Sequence, residues 1–227
     1  MIRKLTYNNR VLTDAERVEY CRIADEYIKE YSEYIESVFR VLKEVSVSEY
    51  LRFVEIFKTI LDISAFITYA FCDCIVLNKS FVRATHPYEK SFLRGKLKVQ
   101  LNESFKKLYG FNGIYKGSYC AKLEKIITEF FPEYKKTFDE LLSDFEQVSK
   151  EPWWKDERNA EVHIDAAKLY ELRHQEINES KVVMEMGQLT TLFRRINRFI
   201  ADLARVYYND VTTRFVKEFG HLPDLNG

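Results

Sequence analysis

Apolar residues return every three or four positions along nearly the whole chain, and little interrupts them: 227 residues contain only seven Gly and four Pro. Gly and Pro are the strongest breakers of regular structure, and a 3.6-residue apolar period is the signature of an amphipathic helix. Cys21, Ala24, Ile28, Tyr31, Ile35, Val38, Leu42 and Val45 form one such stripe. Val182, Met186, Leu189, Phe193, Ile196, Ile200, Leu203 and Tyr207 form another near the C-terminus. The pattern predicts an all-α protein, an antiparallel up-and-down bundle of about six to seven helices. No repeat, low-complexity tract or linker divides it, so residues 1–227 are expected to form a single helical domain.

Local signals set the expected boundaries. Thr13 with Glu16 is a capping-box pair that starts the first helix, and Ser46 with Glu49 starts a second running to about Asn78. The far half of that helix is apolar nearly all round, which predicts a central position in the bundle. A third helix is expected from about Glu89 to Tyr109, stopped by Gly110 in a position that tolerates positive φ. Ser118 caps a short helix to Phe131, and Pro132 suits the first turn of the next, reaching about Lys150. Pro152 interrupts the chain before a helix that runs to about Ile177. The final helix, from about Val182 to Gly220, is the longest.

Acidic and basic residues balance at 35 each, so the whole molecule exerts no net attraction on nucleic acid and any such contact needs local asymmetry. Between Lys79 and Lys107 stand eight basic and two acidic residues, a local charge of +6, whereas Thr13 to Glu44 carries −4. Two solvated faces of opposite sign explain this most simply; a phosphate track through Arg94, Lys96 and Lys98 is the functional alternative. The four cysteines, Cys21, Cys72, Cys74 and Cys120, make no CxxC pair, and three fall in apolar stripes as buried free thiols do, so a reducing, cytoplasmic setting is expected. MIRKLTYNNR lacks the apolar stretch of a secretory signal. Ile60 to Leu77 is apolar but holds Asp62 and Asp73, each costly in a bilayer, and reads as a buried bundle helix.

The densest catalytic chemistry lies in Arg158-Asn-Ala-Glu-Val-His163. Arg holds a phosphate through a fixed fork of donors, and His titrates near neutrality, so the pair suits general acid–base work on a phosphodiester without metal. On a helix Asn159 and His163 share a face, which continues through Ala167, Tyr170, His174 and Ile177. Core packing of that face is the plain structural alternative. Trp153 and Trp154 precede the motif and suit either base stacking or core anchoring.

These residues resemble the HEPN superfamily of all-helical proteins, whose ribonuclease members carry Arg, four to six residues, then His, often with a polar residue after the Arg. Here the match is Arg158, Asn159 and His163, with Trp153-Trp154 leading in and the charged stretch LYELRHQEINES leading toward a long terminal helix. The resemblance covers roughly residues 150–200, with an HEPN-like core at 150–220. It implies a metal-independent endoribonuclease with no cofactor, of the kind found in toxin–antitoxin, anti-phage and RNA-processing systems. It also implies a homodimer that brings two motifs into one cleft, RNA as substrate, and an antitoxin or other protein as partner. By the same resemblance His163 would act on the 2′-hydroxyl or the leaving oxygen, Arg158 would stabilise the phosphate, and Asn159 would orient one of them. Inactive binding members of the family make a non-catalytic RNA- or protein-binding module the first alternative.

Arg214 and His221 match the spacing too, but straddle Gly220 and lack the Asn. Glu171-x-x-His174 and Glu218-x-x-His221 open a second alternative, a ferritin-like carboxylate-bridged metal protein, although the supporting core carboxylates are missing from the pattern. No Walker loop, HExxH, Rossmann glycine pattern or nucleophile elbow occurs.

Overall fold

The computed structural model describes residues 11–45, 51–110, 115–149 and 166–219. Among them are seven α-helices and no strand: α1 Asp14–Val45, α2 Leu51–Arg83, α3 Pro87–Tyr109, α4 Tyr119–Phe130, α5 Lys135–Ser149, α6 Ala166–His174 and α7 Glu179–Phe219. The all-α bundle expected from the periodicity is what the chain forms.

Helix ends follow the local chemistry. Thr13 and Glu16 form the reciprocal capping box, with Thr13 N–H donating to Glu16 Oε2 at 2.9 Å and Glu16 N–H to Thr13 Oγ1 at 3.3 Å. The Ser46/Glu49 pair lies outside the described residues. Helix α3 starts earlier than expected, because His86 Nδ1 accepts from Tyr88 N–H at 3.2 Å and Pro87 takes the first turn, where its missing N–H costs nothing. It stops at Gly110, whose φ of 110° and ψ of 174° suit a residue without a side chain. Ser118 Oγ caps α4 through Ala121 N–H at 3.1 Å. At Pro132 the chain makes a 3₁₀ turn, Pro132–Tyr134, before α5 becomes α-helical. Asn178 Oδ1 caps α7 by accepting from Lys181 N–H at 3.0 Å, and so separates α6 from α7.

Helix α2 is the centre of the bundle. It packs on α1, α3 and α7, and Ile60, Ile63, Ile67 and Phe71 are almost wholly buried. Each such side chain contributes about 1.5–3 kcal/mol through burial, the main term that holds the helices together. The stretch Glu55–Arg83 is long and apolar enough to cross a membrane, but 61% of its most apolar window is buried inside the protein, as in a core helix. Around α2 the core takes Leu101 and Leu108 from α3, Leu123 and Ile127 from α4, Phe138 and Phe145 from α5, and Phe193, Ile196 and Leu203 from α7.

Two buried polar devices set how the long helices meet. Tyr34 Oη and Ser64 Oγ are 2.8 Å apart; Ser64 donates to Asn197 Oδ1 at 3.1 Å, and Asn197 Nδ2 donates to Thr68 Oγ1 at 3.1 Å. This network ties α1, α2 and α7 together, and its paired atoms avoid the cost of buried groups without partners. At the other end, buried Glu179 accepts from Arg17, Lys90 and Leu12 N–H, while Arg17 also donates to Val82 O. One carboxylate thus joins the start of α7 to α1 and α3.

Candidate nucleic-acid interface

The motif residues Arg158, Asn159 and His163 lie outside the described residues, as do Trp153, Trp154 and His221. Described structure resumes with α6, whose first residue, Ala166, is three positions after His163.

Helix α6 has nine residues, too few for stability alone, and is fixed by its end. Leu172 is buried, and its carbonyl, orphaned in the last turn, accepts from Ser91 Oγ at 2.9 Å and Arg94 Nη2 at 3.3 Å. Arg173 returns the contact by donating to Ser91 O at 2.9 Å. The guanidinium of Arg94 also places positive charge at the negative end of the α6 dipole.

This arrangement departs from both readings of the basic stretch of α3, the solvated face and the phosphate track through Arg94, Lys96 and Lys98. Arg94 is 8% exposed and Lys98 7%, and both line a small gap with Glu185 and Met186 of α7. Lys90 bonds buried Glu179. Lys90 and Arg94 face inward because the first turn of α7 and the last turn of α6 offer a carboxylate and a carbonyl there. Of the three α3 residues expected to contact RNA, only Lys96 is exposed.

A different surface emerges at the α3–α6 junction. Tyr88, Phe92 and Lys96 recur every four residues on the outer side of α3, and Tyr88 and Phe92 are 58% and 41% exposed. Arg173 of α6 lies over both rings, its guanidinium carbon 5.9 Å from the Tyr88 centroid and 5.6 Å from that of Phe92. Lys96 Nζ is 5.2 Å from the Phe92 centroid. On α6, the rings of Tyr170 and His174 are 4.1 Å apart, with His174 Nδ1 2.7 Å from Tyr170 O. Tyr170 is 66% exposed. Exposed flat side chains interleaved with guanidinium and ammonium groups can stack bases and hold phosphates.

Tyr88, Phe92 and Arg173 were missed in the sequence. Apolar residues occur all round α3, which hides an outward aromatic stripe, and the approach of Arg173 depends on how α6 docks. The four-residue spacing of Tyr88, Phe92 and Lys96 was the available signal.

Comparison with family models, curated proteins and solved structures finds no match.

Glu171 and His174 are both exposed, so they do not project into the core as a carboxylate-bridged metal pair must. Among the described residues no group of three His, Cys, Asp or Glu side chains converges. Burial pushes the Cys72 thiol up to about 11 and raises Cys74 and Cys120 further, which keeps all three as thiols at neutral pH. No described pair among the four cysteines is bonded.

Proposed function

We propose that this protein is a metal-independent endoribonuclease of the HEPN type, working as a homodimer in which two copies of the Arg158/Asn159/His163 motif share one cleft. The observation that carries the reading is the motif itself, standing three residues ahead of a helix that bears an exposed aromatic and cationic surface. His163 removes the 2′-hydroxyl proton or protonates the 5′-oxygen, according to which copy it belongs to. The 2′-oxygen forms a bond to phosphorus as the bond from phosphorus to the 5′-oxygen breaks, leaving a 2′,3′-cyclic phosphate and a 5′-hydroxyl. Arg158 stabilises the charge that builds on the phosphoryl oxygens, and Asn159 orients the groups. Tyr88, Phe92, Arg173 and Lys96 hold the flanking single strand. The resemblance also extends the proposal to an antitoxin-type protein partner.

Purified protein is expected to cleave single-stranded RNA in excess EDTA and to leave cyclic phosphate ends. His163→Ala and Arg158→Ala abolish cleavage and leave thermal stability nearly unchanged. Cleavage that survives both substitutions removes the motif from the mechanism. RNA binding without any cleavage by the unsubstituted protein establishes instead the non-catalytic module, which the same aromatic surface would serve.

A further inference from the structure

Helices α1 and α7 both pack on α2, and an open groove of about 510 Å³ remains between them. Its walls come from Glu30, Tyr31 and Tyr34 of α1 and from Thr191, Arg194, Arg195 and Arg198 of α7. The volume lies in the range of small-molecule sites, about 300–1,000 Å³, and exceeds what one inorganic anion fills.

Three cations and one carboxylate line the groove, so it is electropositive in a molecule with no net charge. The guanidinium groups are not equally committed. Arg195 is neutralised by Asp144 of α5. Arg194 donates to Tyr27 Oη at 3.0 Å and lies 5.0 Å over that ring, contacts that orient its fork, and it forms no ion pair among the described residues. Arg198, one helical turn further on and exposed, makes no ion pair among the described residues. Two guanidinium groups on one helix face, neither ion-paired among the described residues, thus present donors to the same space, an arrangement that matches phosphate oxygens.

The rest of the groove is held by buried hydrogen bonds and is partly aromatic. Asn197 at its floor is 7% exposed and held by Ser64 and Thr68, and Tyr34 belongs to the same network. The Tyr31 ring packs at 4.6 Å against Phe71. Burial raises the Tyr31 phenol above its usual value, although nearby Arg194 acts in the opposite direction, so Tyr31 keeps its proton as a donor.

We infer that the α1–α7 groove binds a nucleoside polyphosphate, with its phosphates held by Arg194 and Arg198 and its base against the Tyr31 and Tyr34 wall. The groove is built from α1 and α7 residues separate from the proposed nuclease motif and from the α3–α6 surface. The inference does not rest on the ribonuclease reading.

Isothermal titration of the full chain with ATP, UTP, pyrophosphate and adenosine tests it. Either nucleotide is expected to bind more tightly than pyrophosphate, and adenosine not to bind. Arg198→Glu, at an exposed position, is expected to weaken ATP binding at least about 10-fold, the scale of one lost charge-assisted contact, with an unchanged melting temperature. Arg194→Gln weakens it to a similar degree, whereas His163→Ala leaves it unaltered. Absence of ATP and UTP binding overturns the inference, and so does binding that Arg198→Glu and Arg194→Gln leave intact. Pyrophosphate that binds as tightly as ATP overturns the nucleoside assignment. Binding lost in His163→Ala transfers the nucleotide to the motif and overturns the groove.

Discussion

Glu179 and Lys90 form a buried ion pair between the first turn of α7 and the first turn of α3, although 89 residues separate them in the chain. Arg17 of α1 completes the cluster from the other side of the carboxylate. Removing the carboxylate leaves two cations in a site from which water is largely excluded. Glu179→Ala is therefore expected to destabilise the fold by about 3–5 kcal/mol, the range for breaking a buried pair. Urea titration reads this directly, and a loss under about 1 kcal/mol would assign the cluster to the class of surface pairs.

The Ser64–Asn197–Thr68 network gives a second stability prediction. Asn197→Ala removes one hydrogen bond each from Ser64 and Thr68, which keep Tyr34 Oη and Ser64 O as partners, so about 0.5–1.5 kcal/mol is lost per bond. Asn197→Ala combined with Ser64→Ala is expected to cost less than the sum of the single substitutions. A double-mutant cycle in denaturant measures the coupling, and strict additivity would dissolve the network into independent contacts.

Gly110 ends α3 with φ 110° and ψ 174°, a backbone region open to few residues with side chains. Gly110→Ala is expected to lower stability by about 1–3 kcal/mol. Gly187, within α7, has open space where a Cβ would sit, so Gly187→Ala is expected to raise stability by roughly 0.5–1 kcal/mol through helix propensity. Thermal melting of the two variants should move in opposite directions.

Alkaline pH is expected to unfold the protein progressively. Burial pushes Tyr20 up to about 12 and Cys72 up to about 11, with Cys74 and Cys120 raised for the same reason. A raised pKa contributes stability that is complete below the unfolded value, about 8.5 for a thiol and 10 for a phenol. That stability is lost as pH climbs through the folded value. Melting temperature should thus fall above about pH 9 and steepen between about 10 and 12. Tyr20→Phe should remove the part of the slope nearest pH 11. A profile flat to pH 12 would contradict the partly buried, neutral phenol.

Phe92→Ala and Tyr88→Ala are each expected to weaken single-stranded RNA binding by about 1–3 kcal/mol with little change in its salt dependence, because stacking releases no counterions. Lys96→Glu should instead flatten the salt slope. Arg94→Glu is expected to destabilise the protein before it affects RNA, since Arg94 caps α6 in the interior. Fluorescence anisotropy across a salt series separates these outcomes, and unchanged affinity in the Phe92 and Tyr88 variants would remove the α3–α6 surface from RNA contact.

The helical architecture was legible in the sequence because a 3.6-residue apolar period, the Thr13/Glu16 box, Ser118 and Gly110 act through neighbours within four or five positions. The central place of α2 was legible as well, since a helix apolar on every face must be covered on every face. Charge was read less well. The +6 segment looked like one surface, yet Arg94 and Lys98 turn inward and Lys96 outward, because their partners, Leu172 O and the α7 face, stand more than 70 residues away. The Arg194/Arg198 groove and the Arg173 position over Tyr88 and Phe92 arise in the same way. Periodicity records which side of a helix is buried, whereas the partner of a buried cation is decided only when distant helices dock, and docking is set by the packing of the whole core.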